Sequence, residues 1–239
     1  MKSSLEIFRQ PDPESAAAEA GEQLNQSLTD NLKRPVLLML SASSSLAILE
    51  YVGKTALGQN LAISILDERF SQDPSINNFA QLQKTDFYTD AFDAECSFFG
   101  TLPRSGETMA DLAKRWEANL HAWRRENPGG LIIATLGMAA DGHTAGIFPF
   151  DDEKKFNQLF KGEPWVVAYN VGNASPYQER VTTTLSFLKL IDLGFAFVVG
   201  GEKKAKLDTL IQKHGEIHAL PALAWHDIKK LKIFTDIRD

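Results

Sequence analysis

Asp141 and His143 stand two residues apart in a glycine-framed run, Gly137-Met138-Ala139-Ala140-Asp141-Gly142-His143-Thr144. An imidazole titrates near neutral pH, and a carboxylate beside it can fix its tautomer, so the pair suits proton transfer to and from a reacting group. An Asp-Gly pair is also an ordinary turn signal, and a histidine after it can serve as a cap. What favours chemistry is the setting. Leu131 to Leu136 reads as a buried strand, bounded upstream by Pro128, Gly129 and Gly130. Gly137 lets the backbone turn at its end, and Gly142 lets it pass close to whatever lies above. Ligands of open α/β sheets bind beyond the carboxyl ends of the strands, which is where this run falls.

Two further stretches carry groups of interest. Ser41-Ala42-Ser43-Ser44-Ser45 follows the apolar strand Val36 to Leu40 and precedes apolar residues Leu46 to Val52 at helical spacing. Such a small-residue turn can cradle a phosphate with its N–H groups and hydroxyls, or simply supply a serine N-cap with no ligand. Asp67-Glu68-Arg69 ends the strand Leu61 to Leu66. Three charges there are costly to bury unless paired or functional, and a solvated turn is the plain alternative.

The remaining elements alternate. Leu5 to Phe8 reads as a short strand, and Asp12 caps a helix through about Leu32 with Pro13 in its first turn. A polar stretch, Ser71 to Asp86, runs into a short helix, and Phe87 to Gly100 is aromatic-rich packing material. Ser105 to Thr108 opens a helix through about Arg125 that buries Leu112, Trp116, Leu120 and Trp123 on one face. Asp151 to Phe160 reads as a helix. Trp165 to Tyr169, Arg180 to Leu185 and Gly194 to Val199 read as strands, followed by a helix to about Lys213 and a final strand Leu231 to Phe234. The pattern predicts an α/β fold, a largely parallel Rossmann-like sheet with helices on both faces, in a single domain over 1–239.

With 25 Lys and Arg against 31 Asp and Glu, the formal net charge is −6. That balance argues against a general nucleic-acid binder. Cys96 is the sole cysteine, which rules out an internal disulfide and suits a reducing cytoplasm. No apolar run approaches the ~20 residues of a membrane span, and the start lacks the apolar core of a signal peptide. A soluble cytoplasmic protein without membrane or nucleic-acid partners is expected, as a monomer or weak homodimer. His214 and His218 have the spacing of a helical metal pair, but Gly215 lies between them and no acid-rich partner segment is near, so no metal is expected. There is neither a Gly-x-Ser-x-Gly elbow nor a dinucleotide fingerprint.

Taken in order, these residues resemble the 6-phosphogluconolactonase family, related to the glucosamine-6-phosphate isomerases/deaminases. The resemblance rests on Leu40-Ser41 with small residues after it, Asp67-Glu68-Arg69, Asn78, Gly137 to Ala145 with Phe148-Pro149, Arg180-Val181-Thr182, and Gly201-Glu202-Lys203-Lys204-Ala205. Of these, 137–149 is the specific motif. The deaminases continue their Asp-Gly-His with Asn-Glu-Pro, whose glutamate takes part in ring opening. Here the segment is Gly146-Ile147-Phe148-Pro149, and Arg69 stands where the deaminases resemble one another in tyrosine. The family's phosphate turn usually reads Ser-Gly-Gly. If its glycines need positive φ, Ala42 and Ser43 are strained in this chain or the turn has another shape. Phe150 stands where glycine commonly follows Phe-Pro.

The resemblance implies the sugar-phosphate isomerase fold and hydrolysis of 6-phospho-D-glucono-1,5-lactone to 6-phospho-D-gluconate, a step of the oxidative pentose phosphate pathway, with no cofactor. It implies His143 as general base, with Asp141 or Asp67 either orienting the imidazole or fixing a substrate hydroxyl. Backbone N–H groups near Gly137 to Gly142, or Arg69, would stabilise the oxyanion. Ser41, Ser43, Ser44, Ser45, Arg180 and Lys204 would hold the phosphate of the sugar lactone, with Arg69 and Gly142 beside them. A deaminase of the sister group and a sugar-phosphate binder without turnover are the alternatives.

Overall fold

A computed structural model describes residues 3–238; Met1, Lys2 and Asp239 of the expected domain lie outside the described residues. The strands are β1 (Ser4–Arg9), β2 (Val36–Leu40), β3 (Leu61–Ile65), β4 (Asp67–Arg69), β5 (Ser97–Phe98), β6 (Leu131–Gly137), β7 (Val166–Asn170), β8 (Glu179–Thr183), β9 (Leu193–Phe197) and β10 (Lys230–Thr235). The helices are α1 (Pro13–Thr29), α2 (Asn78–Leu82), α3 (Asp86–Asp93), α4 (Met109–Glu126), α5 (Glu153–Phe160), α6 (Leu185–Leu188) and α7 (Lys204–Ile211).

Seven strands form a sheet in the order β1-β10-β9-β6-β2-β3-β5. Every pair in it is parallel. β2, β3 and β6 are continuous apolar runs because both faces of a parallel sheet are covered, which removes the alternation a half-exposed strand would show. α1 packs across β9 and β10. Asp12 caps it, accepting from Ser15 N at 2.7 Å, with proline at the first turn and a stripe of buried alanines behind. α4 lies against β7 and β8. Its start is fixed by a reciprocal cap between Thr108 and Asp111. Leu112, Trp116 and Leu120 are each fully buried, at about 1.5–3 kcal/mol per side chain.

β7 and β8 do not join the main sheet, as a purely parallel reading would place them. They form a second, antiparallel sheet in the order β4-β8-β7. Asp67-Glu68-Arg69 is thus an edge strand rather than a turn, and three residues are too few to show a strand's alternation. Its register sets Arg69 directly opposite Arg180 and Asp67 opposite Thr182. The apolar stretch after the serines is a 3₁₀ helix, Ser43–Tyr51, instead of an α-helix. His214 and His218 lie on irregular backbone after α7, with Gly215 at φ +96°, so the helical spacing of a metal pair is absent. No helix of the described residues is long and apolar enough to cross a membrane.

The chain leaves β2 toward β3 and β5 on one side and later adds β6, β9 and β10 on the other. The order therefore reverses between β2 and β6. At such a switch point the loops beyond neighbouring strand ends diverge and leave a crevice.

Candidate active site

A cleft of about 350 Å³ opens at that crevice. It is lined by Ser41, Ser43, Ser44 and Ser45 after β2, by Asp67 and Arg69 of β4, by Asn78, by His143 and its loop after β6, by Arg180 of β8, and by Lys203 after β9. Gly137 joins the two walls. A Cβ there would stand 2.9 Å from Ser45 Oγ and 3.3 Å from Ser41 Oγ, so a side chain at 137 would push these two hydroxyls aside. Ser41 N donates to Thr135 Oγ1 at 3.0 Å and ties the same two strands.

The loop from Met138 to Phe148 is held at many points. Gly142 N donates to Ala139 O at 2.9 Å, and Ala139 N to His143 O at 3.1 Å. Ala222 N binds Gly142 O, and Trp225 Nε1 donates to Thr144 Oγ1 at 3.1 Å. Thr182 Oγ1 and Tyr169 OH donate to the carbonyls of Ala145 and Gly146. Gly142 and Gly146 have φ of +89° and +65°, the left-handed region that favours glycine. This frame delivers His143 to the cleft.

His143 Nδ1 donates to Asp141 Oδ1 at 2.8 Å, and His143 N reaches the same oxygen at 3.0 Å. Burial would raise the Asp141 carboxyl, but these two hydrogen bonds outweigh it and leave the group below its ordinary value. Asp141 is therefore a carboxylate at neutral pH and keeps the proton on Nδ1, so Nε2 is the basic nitrogen. The ring stacks on Phe148, centroids 4.1 Å apart, and Phe148 in turn lies under the Arg180 guanidinium at 5.4 Å. Of the two aspartates, Asp141 is the one bonded to the imidazole. Asp67 instead pairs with Arg180 Nη1 at 3.2 Å and accepts from Asn78 Nδ2 at 3.1 Å.

The cations differ in what they are already bound to. Arg180 is buried and commits all three nitrogens, Nε to Tyr177 O, Nη1 to Asp67 and Nη2 to Ser175 Oγ. Arg69 reaches Ser43 Oγ with Nη2 at 3.3 Å, and its guanidinium lies 5.0 Å from the Tyr177 ring centre. Its Nε is buried with no hydrogen-bond partner among the described residues.

Two of the sequence-based binding residues lie outside the cleft lining. Lys204 does not line the cleft: its Nζ donates to Arg238 O at 2.8 Å and pairs with Asp208 at 3.4 Å. Its neighbour Lys203 lines it instead, with an amine lowered by burial and pushed back up by Glu202 and Asp236. Gly142 is likewise not a lining residue. A Cβ at 142 would fall 2.2 Å from Leu220 Cδ1, and its N–H closes the turn, so this glycine shapes the loop and is unavailable as a donor. Lys203 stands in the Gly201–Ala205 motif, where the site role went to its neighbour Lys204, and Tyr177, a loop aromatic, was marked by no pattern.

The expectation of strain in the serine turn falls on one residue. Ala42 has an ordinary φ of −82°, whereas Ser43 sits at +63°.

A parallel sheet with a switch-point crevice, an Asp-supported histidine and a serine turn defines an α/β fold of the sugar-phosphate isomerase type. Residues 11–232 match the family of glucosamine-6-phosphate isomerases/6-phosphogluconolactonases, and the chain belongs to that family. A 6-phosphogluconolactonase of Neisseria meningitidis is 26% identical over 204 residues, covering 82% of this chain and 85% of its own. That of Mesorhizobium japonicum is 32% identical over 143 residues, covering 59% and 56%. Among solved structures, the 6-phosphogluconolactonase of Thermotoga maritima shares the fold with a TM-score of 0.75 at 17% identity, over 97% of this chain and 99% of its own.

Proposed function

We propose that this chain hydrolyses 6-phospho-D-glucono-1,5-lactone, as the names of its relatives suggest, within one domain spanning the chain and in the cytoplasm. The observation that carries the reading is the Asp141–His143 pair, 2.8 Å apart, at the rim of a cleft that also holds Arg69, Lys203 and the serine turn. In this reading a water molecule at Nε2 attacks the lactone carbonyl while His143 takes its proton. The resulting imidazolium keeps its Nδ1 hydrogen bond to the Asp141 carboxylate. As the tetrahedral intermediate collapses, Nε2 returns the proton to the departing ring oxygen. Arg69 supplies positive charge near the developing oxyanion.

The substrate phosphate is assigned to the turn Ser41–Ser45, with Lys203 on the far wall. Arg180 serves mainly to hold Asp67, which faces the cleft as an acceptor for sugar hydroxyls. Against the deaminase alternative stands the segment Gly146-Ile147-Phe148-Pro149, which brings no glutamate to the loop. The non-enzymatic alternative rests on the altered turn, where Ser43 takes the conformation a glycine would.

The test is lactone hydrolysis measured above the spontaneous rate for wild type and His143→Ala, with ammonia release from glucosamine 6-phosphate measured in parallel. Equal hydrolysis by the two proteins rejects the general base. Ammonia release supports the sister activity, and binding of 6-phosphogluconate without turnover supports the non-enzymatic binder.

A further inference from the structure

Glu68 takes no part in the chemistry above, yet it is fully buried. Both carboxylate oxygens are saturated. Oε1 accepts from Arg69 N at 2.8 Å and Asn78 N at 2.5 Å; Oε2 accepts from Phe79 N at 3.1 Å and Thr101 Oγ1 at 2.8 Å. One side chain therefore fastens β4, the start of α2 and the segment after β5 to a single point. Its immediate neighbours in the chain, Asp67 and Arg69, both line the cleft, and so does Asn78. Asn78 in turn donates Nδ2 to Asp67 O at 2.9 Å and to Asp67 Oδ2.

We propose that Glu68 is a positioning residue whose ionised carboxylate sets Asp67, Arg69 and Asn78 in the geometry that receives substrate, so that its protonation loosens the site. This rests on the lactonase reading. Three of the four donors are backbone N–H groups and cannot reverse. The Thr101 hydroxyl can, so a proton on Oε2 turns that bond around and weakens the acceptor shared with Phe79. The charged groups around Glu68 are Asp67 and Arg69 on its own strand and Arg180 on β8, whose charge is already matched by Asp67; Phe79 and Thr101 add none. Among the described residues no cation is paired with Glu68. Burial accordingly pushes it up to about 7, the hydrogen bonds from Thr101, Asn78 and Phe79 working against the shift and the charge of Asp67 adding to it. Because the folded protein holds this proton more tightly than the unfolded chain, stability declines as pH rises from the ordinary carboxyl range through about 7. The same rise completes the site.

The experiment compares wild type, Thr101→Val and Glu68→Gln from pH 5 to 9. It follows the Asn78 side-chain amide and Arg69 Nε–H resonances by NMR and lactone hydrolysis at saturating substrate. In wild type both resonances shift with a midpoint near neutral pH, and the acid limb of kcat includes the proton of Glu68. Thr101→Val removes the one side-chain donor to the carboxylate and moves the midpoint and the limb up together by about one pH unit, lowering kcat at pH 6 about tenfold. Glu68→Gln turns an amide N–H toward backbone N–H groups; its folded fraction shows no resonance transition and an acid limb less steep by one proton than that of wild type. A wild type that hydrolyses lactone with a pH profile unchanged by Thr101→Val overturns the positioning role and leaves the lactonase reading intact. A wild type that fails to hydrolyse while its resonances titrate and respond to Thr101→Val sinks the lactonase reading and sustains the role of Glu68 in ordering the cleft.

Discussion

The two loops that face each other across the cleft are built on opposite principles. The Met138–Phe148 loop is held from four directions, by its own turn bonds and by donors from Tyr169, Thr182, Ala222 and Trp225. Two of its three left-handed positions are glycine; the third, Ala145 at +47°, has its carbonyl held by Thr182. The serine turn has few anchors and places a serine at +63°. The comparison teaches that one wall is preorganised to hold a ring nitrogen in place, whereas the other trades backbone ease for hydroxyl groups.

The sharpest way to break this contrast is at the rigid wall. His143→Ala lowers kcat by ~10²–10⁴-fold, read as lactone hydrolysis above background, with the fold intact by circular dichroism. Gly146→Ala comes next. It requires a left-handed alanine and brings its Cβ to 2.7 Å from that of Asp67, so an unfolding titration loses about 3 kcal/mol. Asp141→Asn removes one charge-assisted hydrogen bond of about 1.5–3 kcal/mol, and kcat falls roughly 10- to 100-fold with KM little changed. The smallest effect is on the serine side. Ser43→Gly relieves the left-handed strain and stabilises the fold by about 1 kcal/mol in the same titration, while loss of the Oγ contact to Arg69 raises KM. A Ser43→Gly protein that is less stable than wild type would erase the distinction between the two walls.

Much of this was legible in residue order because some signals are local. Asp12 before Pro13 and a run of alanines can only begin a helix, and the unbroken apolar runs at 36–40 and 131–136 suit strands covered on both faces. The glycine-framed Asp141 and His143 announced themselves by type and spacing. What remained hidden depends on distant partners. Asp67-Glu68-Arg69 becomes a strand only because β8 lies beside it, and nothing within three residues records that. Lys203 and Lys204 are adjacent and chemically alike; which one faces the cleft is decided by where the 3₁₀ turn Gly201–Lys203 hands over to α7. Glu68 reads as one more surface acid until its four donors, ten and thirty-three residues onward among them, close around it.

The register of the small sheet has a further consequence. Arg69 and Arg180 stand opposite each other on neighbouring strands, a pairing of like charges that costs folding free energy. Arg180 is matched by Asp67, and Arg69 keeps a buried Nε–H with no hydrogen-bond partner among the described residues. A phosphate seated on the serine turn, which Arg69 already reaches at Ser43, would supply that partner, so occupancy reports on itself as heat resistance: the melting temperature climbs with the logarithm of added 6-phosphogluconate, and gluconate, which keeps the carboxylate but lacks the phosphate, raises it less.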